Sequence, residues 1–343
     1  MIDISKIEKI DSKKMYKIYD QWPTIAKEAF ESDLKKVNFE KSNHILFAGM
    51  GGSGAIGDIF SSILSKTNIH VDVVKGYVLP KTVDSNSIVV VTSVSGNTEE
   101  TVSILKSAID INCKIIAFSN GGIIQEICKN ENIEHRKINM VHSPRSSFTK
   151  FLFSMLNVLS PILPIARKDV EESISELINL KNKIDSENLT NSNPALMLAN
   201  WLTNIPLIYY PFGLQSAAIR FKNSLQENTK IHEISEDVIE ACHNGVVAWE
   251  KSSQLKPILL RGNDDYIKTK ERWEIIKEFF NENKIEFKEI NSVEGSILSK
   301  LINLIYLLDY TTIYRAVLSD IDPTPVKAID YVKQKLQTLE HTK

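Results

Sequence analysis

His44-Ile45-Leu46-Phe47-Ala48-Gly49-Met50-Gly51-Gly52-Ser53-Gly54-Ala55-Ile56-Gly57-Asp58 is the stretch on which the fold of this chain turns. An apolar run of strand length breaks into five glycines and a serine, then resumes at helical spacing through Ile59, Phe60, Ile63 and Leu64. That pattern is a strand, a tight turn and a helix start. Glycines let the backbone approach a ligand closely, and the unpaired N–H groups of a helix N-terminus hold an anion such as phosphate. Gly49, Gly51 and Gly54 also match GxGxxG, the dinucleotide fingerprint, which asks for an acid about twenty residues on at the end of the second strand. The next strand, residues 69–76, has Asp72 inside it and Lys75 at its end, which weakens the dinucleotide reading.

Outward from this turn, strand and helix alternate with short connections. Residues up to about 41 read as helical. Ile88-Val89-Val90-Val91-Thr92 is a β-branched run suited to a strand buried on both faces. A helix over 98–111, a strand over 114–118, a short helix over 122–129, a strand over 134–140 and a helix from near Ser146 complete the first unit. A charged amphipathic helix over 169–184 and a Ser-, Asn- and Asp-rich linker over 185–194 follow. The alternation then restarts, with strands over 205–210, 257–260 and 285–290 and helices over 215–225, 266–281, 294–318 and 326–336. Repeated βα units imply parallel sheets covered by helices, so the fold class is α/β with two doubly wound halves, residues 1–165 and 166–343.

The chain's 343 residues suffice for two cores of ordinary size. A formal net charge of -2 argues against a general nucleic-acid or membrane-surface binder, which needs a basic face. Cys113, Cys128 and Cys242 are odd in number and widely spaced, giving no disulfide framework and no Cys-x-x-Cys metal signature, so a cytoplasmic setting is expected. Residues 1–14 lack the apolar core of a signal peptide. The most membrane-like run, 151–166, is too short to span and carries polar residues and two prolines, so it reads as a buried helix broken at Pro161.

A second loop narrows the ligand. After the strand ending at Thr92 comes Ser93-Val94-Ser95-Gly96-Asn97-Thr98-Glu99-Glu100-Thr101. Three hydroxyls next to a helix N-terminus suit a compact phosphate monoester, although the same residues also read as a cap with Asn97 or Thr98 at the cap position. The two loops together resemble sugar isomerase (SIS) domains, in which Ser-x-Ser-Gly-x-Thr after a buried strand holds the phosphate of a phosphosugar. Ser143-Pro144-Arg145-Ser146, Glu227-Asn228-x-Lys230, His243-Asn244 and Asp322-Pro323-x-Pro325 extend the likeness. They make nearly the whole chain resemble the bifunctional phosphoglucose/phosphomannose isomerase family.

The resemblance implies two flavodoxin-like SIS domains in one chain, a homodimer, a small-molecule phosphosugar substrate, no nucleic acid or membrane partner, and no cofactor or metal. Phosphate would be held by Gly51, Gly52, Ser53, Ser93, Ser95 and Thr98. Aldose–ketose isomerisation needs ring opening, proton transfer between C1 and C2 through an enediol, and a fixed phosphate. One carboxylate can move that proton if the phosphate sets the register. By the resemblance Glu227 is this base, His243 opens the ring from the partner subunit, Arg145 stabilises the enediolate and Lys333, with Lys335 as rival, assists at the ring oxygen.

Taken singly these residues have plainer readings. Glu227 is a helix-end glutamate, His243 a core histidine, Arg145 a salt-bridge residue and Lys333 part of a solvated helix face. Cys242 beside His243 invites a thiol nucleophile, but sequence neighbours point apart. His44, His70, His135, His142, His232 and His341 show no ligand spacing with cysteines or acids, which disfavours a zinc-dependent mannose-phosphate isomerase. Gly245 stands where the family commonly has an acid, and Ser146-Ser147-Phe148 replaces smaller residues, which bears on the mannose 6-phosphate activity. Trp249 and Val246 are expected to supply an apolar dimer face near the histidine. A non-catalytic phosphosugar sensor is the alternative; it needs the Ser/Thr loop without Glu227, Arg145 and His243. A synthase half of an amidotransferase would need a further ammonia-donating domain.

Overall fold

The computed structural model describes residues 2–340; His341 lies outside them. Strands β1 (His44–Ala48), β2 (His70–Val74), β3 (Ile88–Ser93), β4 (Lys114–Ser119) and β5 (Glu134–Lys137) form one parallel sheet in the order β2-β1-β3-β4-β5. Strands β6 (Pro206–Tyr210), β7 (Ile234–Asp237), β8 (Lys256–Arg261) and β9 (Lys288–Asn291) form a second, ordered β7-β6-β8-β9 and also parallel. The first order is that of doubly wound, flavodoxin-like sheets, in which ligands bind beyond the strand C-termini where the order reverses. That reversal lies between β1 and β3, so the Gly49–Gly54 turn and the Ser93–Thr98 loop flank the same crevice.

Every residue of β3 is buried, as its β-branched run requires in a sheet covered on both faces. The helix Ile297–Leu318 packs against helices Arg167–Ile184, Pro194–Trp201 and Gln215–Ser224 of its own half and reaches the first half through the helix Gly51–Leu64. By length and mean hydropathy this helix could cross a membrane, yet its apolar window is 83% buried inside the protein. Its Asp309, fully buried, pairs with Arg220 at 2.7 Å and accepts from the Ser224 hydroxyl at 2.6 Å. A buried charge pair of this kind holds together only because the further hydrogen bonds satisfy it. Tyr306 donates to the Tyr19 carbonyl at 2.7 Å, tying the leading segment to the same helix.

The leading segment is three short helices, Ile4–Ile10, Met15–Asp20 and Trp22–Phe30, followed by an irregular stretch, rather than helix up to residue 41. The expected linker stops at Asn193, whose side chain caps the helix Pro194–Trp201 by accepting from the Leu196 amide. Strand β7 was not anticipated: Ile-Ser-Glu-Asp has no apolar pattern, and it is a strand because its backbone pairs with the edge of β6. The run at 151–166 is the buried helix Phe148–Val158 and the turn after it.

Candidate active site

The glycine turn is built by close approach. A Cβ on Gly54 would lie 2.8 Å from the Gly49 carbonyl oxygen, so the helix Gly51–Leu64 can start this tightly only on glycine. The helix has no side-chain cap. Ser53 N–H donates to the Met50 carbonyl at 3.0 Å, whereas the Gly51 and Gly52 amides have no acceptor among the described residues. They are the free donors at this end; Ser53 offers its hydroxyl instead.

The second loop is fixed by Gly96, whose φ is +74° and whose Cβ would meet the Gly121 carbonyl at 1.8 Å. Thr98 sits at the cap position of helix Glu99–Ile111, but makes no cap hydrogen bond; its hydroxyl pairs with Ser93 Oγ at 2.8 Å. Asn97 accepts instead from the Ile123 amide at 2.9 Å. The expected Ser/Thr cap is therefore not made, and the helix N-terminus keeps its first-turn amides uncapped by side chains. Ser95 is exposed. Replacing Ser95 with alanine should raise KM about 10- to 100-fold at little change in kcat, matching a hydrogen bond to a charged group of ~1.5–3 kcal/mol. Steady-state kinetics with a phosphosugar checks this, and an unchanged KM would remove Ser95 from the phosphate site.

Three separate sequence motifs meet at Arg145. It is 5% exposed, and its Nε donates to Asn228 Oδ1 at 2.7 Å, its Nη1 to Glu227 Oε2 at 3.3 Å, and its Nη2 to the carbonyls of Pro323 at 2.5 Å and Thr324 at 2.9 Å. A guanidinium has five N–H donors, so one Nη1 hydrogen is left without an acceptor among the described residues. The Ser146 and Ser147 hydroxyls hold the preceding loop by donating to the Val141 and Ser143 carbonyls, and the Ser143 hydroxyl pairs with that of Ser146. An ideal Cβ on Gly52 would lie 3.5 Å from Arg145 Cα, which places the glycine turn against this arginine. Arg220 donates to the Arg145 carbonyl at 2.9 Å from the other side.

Glu227 lies in a π-helical turn, Leu225–Thr229, that follows helix Gln215–Ser224. Single π turns inside helices recur at functional sites because the extra residue re-aims a side chain. Asn228 is held by Thr312 at 2.8 Å, and Lys230, left-handed at φ 60°, donates to the carbonyls of Glu227 and Pro325. Burial, and next the Arg145 guanidinium, press the Lys230 ammonium below its usual value. Beside this group opens a cleft of about 850 Å³ lined by Gly51, Lys75, Lys222, Glu227, Lys230 and Lys327, among others. Lys75, at the end of β2, pairs with Asp58 at 2.6 Å.

The other candidates lie further out. The Ser93–Thr98 hydroxyls do not line this cleft; their loop reaches it through the glycine turn, since a Cβ on Gly49 would lie 2.9 Å from the Thr92 carbonyl. His243 is exposed, lines no part of the cleft, and its ring makes no hydrogen bond among the described residues. Lys333 is exposed on helix Lys327–Glu340, one turn beyond the cleft-lining Ile329 and on the same face. Lys335 instead lies 5.7 Å from the Tyr331 ring. Trp249 is no surface residue: it is 7% exposed and donates to the Tyr209 hydroxyl at 2.8 Å, leaving Val247 as the exposed apolar side chain there. A Cβ on Gly245 would strike the Glu236 carboxylate at 2.4 Å, so an acid from β7 occupies the space beside that glycine.

Burial raises the Cys242 thiol, which disfavours the thiolate that a nucleophile would need. His44 and His70, unrelated by sequence spacing, are register partners on β1 and β2 and come together with Asp72. Glu233 went unnoticed in the sequence. It is 7% exposed, Ser235 donates to its Oε1 at 2.5 Å, Oε2 has no partner, and burial lifts it from 4.5 to about 7. Its folded-state value lies above the unfolded one, so its contribution to stability is full below pH 4.5 and is lost as pH rises through 7, on the order of 3 kcal/mol. Glu233→Gln should melt higher than the parent at pH 8 and level with it near pH 4.5; equal melting at both would mean the carboxylate is solvated.

The two parallel sheets are those of a pair of SIS domains, and family models agree. A SIS domain model matches residues 38–157, and the bacterial phospho-glucose isomerase C-terminal SIS domain matches residues 191–336. The chain is 31% identical over 317 residues to the bifunctional phosphoglucose/phosphomannose isomerase of Caldicellulosiruptor bescii, covering 89% of this chain and 92% of that protein. It is 30% identical to the enzyme of that name from Aquifex aeolicus, over 85% and 90% of the two chains. The C-terminal domain of glucosamine-fructose-6-phosphate aminotransferase from Francisella tularensis shares the fold at a TM-score of 0.66 and 15% identity, covering 89% of this chain and 95% of that one. The chain belongs to the bifunctional phosphoglucose/phosphomannose isomerase family.

Proposed function

We propose that this chain interconverts glucose 6-phosphate and mannose 6-phosphate with fructose 6-phosphate through an enediol, with no metal in the chemical step. The observation that carries this is Glu227 on the wall of a cleft that opens at the glycine turn, paired at 3.3 Å with the buried Arg145 behind it. The Gly51 and Gly52 amides with the Ser53, Ser93, Ser95 and Thr98 hydroxyls fix the phosphate. Glu227 takes the proton from C2 of the open-chain aldose and returns it to C1. The free Nη1 hydrogen of Arg145 faces the oxyanion that develops meanwhile, where a positioned donor acts most strongly. Lys333 assists ring opening. Turnover of each aldose phosphate, followed separately as fructose 6-phosphate formed, tests the substrate assignment. Phosphosugar binding without turnover of either would favour the sensor reading instead.

We place the division between the halves at residue 165, since the helix beginning at Arg167 leads from the first sheet toward the second. The active form is a cytoplasmic homodimer in which His243, exposed on its own subunit, enters the partner's cleft. Mixing two inactive variants tests this. A heterodimer of His243→Ala and Glu227→Gln chains has one intact site of two, so an equilibrated mixture should recover about a quarter of parent activity. No recovery would place His243 in its own subunit's cleft or outside the mechanism.

A further inference from the structure

His44 opens β1 and His70 opens β2, and the two are directly paired in the parallel register. Asp72, two residues along β2, stands on the same face as His70. His44 Nε2 lies 2.9 Å and His70 Nε2 3.7 Å from Asp72 Oδ2, and one ligand atom from each of the three lies within 4.8 Å of the others. The two ring centroids are 5.1 Å apart. None of the three takes part in the cleft chemistry, which sits beyond the opposite ends of the same strands, about 15 Å away along a five-residue strand.

The hydrogen bonding around His44 identifies the atom that faces Asp72. Ser87 Oγ donates its one proton to Asp84 Oδ1 at 3.0 Å and accepts from the Asp84 amide at 3.0 Å. The Asp84 carboxyl is held below its usual value, first of all by that hydroxyl. Ser87 Oγ can therefore only accept from His44 at 3.0 Å, which puts a proton on Nδ1. Nε2 then points a lone pair at a carboxylate oxygen 2.9 Å away, an arrangement that is repulsive unless a cation lies between them. That cation is either a second proton on the ring or a metal ion.

We propose that His44, His70 and Asp72 bind one Zn2+ ion, with Ser87 fixing the His44 tautomer from behind. Two imidazole nitrogens and a carboxylate oxygen are a donor set that suits zinc. A histidine ligand whose other nitrogen donates to a fixed acceptor is the usual support for such a site. Tetrahedral zinc needs ligand atoms about 3.3 Å apart, so closing the site requires the His44 Nε2–Asp72 Oδ2 gap to widen from 2.9 Å and the His70 side chain, which is 67% exposed, to move in from 3.7 Å. The fourth position opens to solvent. The ion would clamp the edge strand β2 to β1 and close the unit that carries the glycine turn and the helix Gly51–Leu64. Its effect is then on the stability of that unit rather than on the chemical step.

Untagged protein stripped with EDTA and titrated calorimetrically with Zn2+ at micromolar concentration should take up one equivalent and melt at a higher temperature. Co2+ in its place should give visible bands of tetrahedral cobalt. His70→Ala should melt like the stripped parent, bind Zn2+ at least about 100-fold more weakly and lose the cobalt bands. Asp72→Asn, which keeps a hydrogen-bonding partner for His44, should weaken binding in the same direction. No uptake by the parent, or uptake unchanged in His70→Ala, would overturn the proposal.

Discussion

Glu227→Gln is expected to lower kcat for glucose 6-phosphate about 10²- to 10⁴-fold, the span that a positioned general base contributes, with KM within a few-fold of the parent. An amide oxygen can still accept from Arg145 Nη1, so the π-helical turn and the cleft should persist and the melting temperature should hold. What the amide cannot do is carry a proton between two carbons. Both aldose substrates pass through the same enediol, so both should fall together. A variant that keeps more than a tenth of parent kcat would remove Glu227 as the base and point to another carboxylate near the cleft, such as Asp322.

Arg145→Lys is expected to differ by losing stability as well as rate. The guanidinium serves Asn228, Glu227 and the carbonyls of Pro323 and Thr324 at once, from a position 5% exposed. A lysine has three donors on a flexible stem and cannot reproduce that planar fork. Each acceptor left without a partner in the interior costs about 1–3 kcal/mol, so the melting temperature should drop. Losing an oriented donor at the oxyanion should lower kcat by about 10²–10³. Paired melts and kinetics of the two variants separate a group that acts from a group that also holds the site together. Near-parent activity in Arg145→Lys would make the arginine an interdomain tie and nothing more.

The architecture was legible because it rests on local patterns. The five glycines over 49–57 and the β-branched run 88–92 each dictate their own backbone, and both appear as read. Edge elements were not legible. Strand β7 has the sequence Ile-Ser-Glu-Asp, and only its pairing to β6 makes it a strand. The capping at Thr98 was misread for a related reason: the sequence shows a cap residue and acids after it, but the Thr98 hydroxyl has a better partner in Ser93 across the loop.

The candidate site shows the same division. That Ser143–Ser146, Glu227–Lys230 and Asp322–Pro325 belong together came from resemblance, and no periodicity in the chain would join stretches so far apart. The structure adds the physical link, one guanidinium bonded to all but the first, which carries it. It also adds lysines 75, 222 and 327 to the cleft wall. Trp249 was assigned to a surface because aromatic residues near a functional loop often lie at interfaces, whereas its indole fills the second half's core. Glu233 carries no sequence signal at all, since it is burial that raises it, against the lowering by Ser235 and Lys222.

The central claim is that a carboxylate of this chain moves a proton between C1 and C2 without a metal. The direct measurement is the EDTA-treated enzyme in deuterated water, with glucose 6-phosphate and mannose 6-phosphate incubated separately and recovered for NMR. We expect both to yield fructose 6-phosphate and the recovered aldoses to carry deuterium at C2, with Glu227→Gln showing neither. Loss of turnover on EDTA treatment that Zn2+ restores, in protein whose melting curve shows it stayed folded throughout, or a Glu227→Gln variant that forms product and label like the parent, would contradict it.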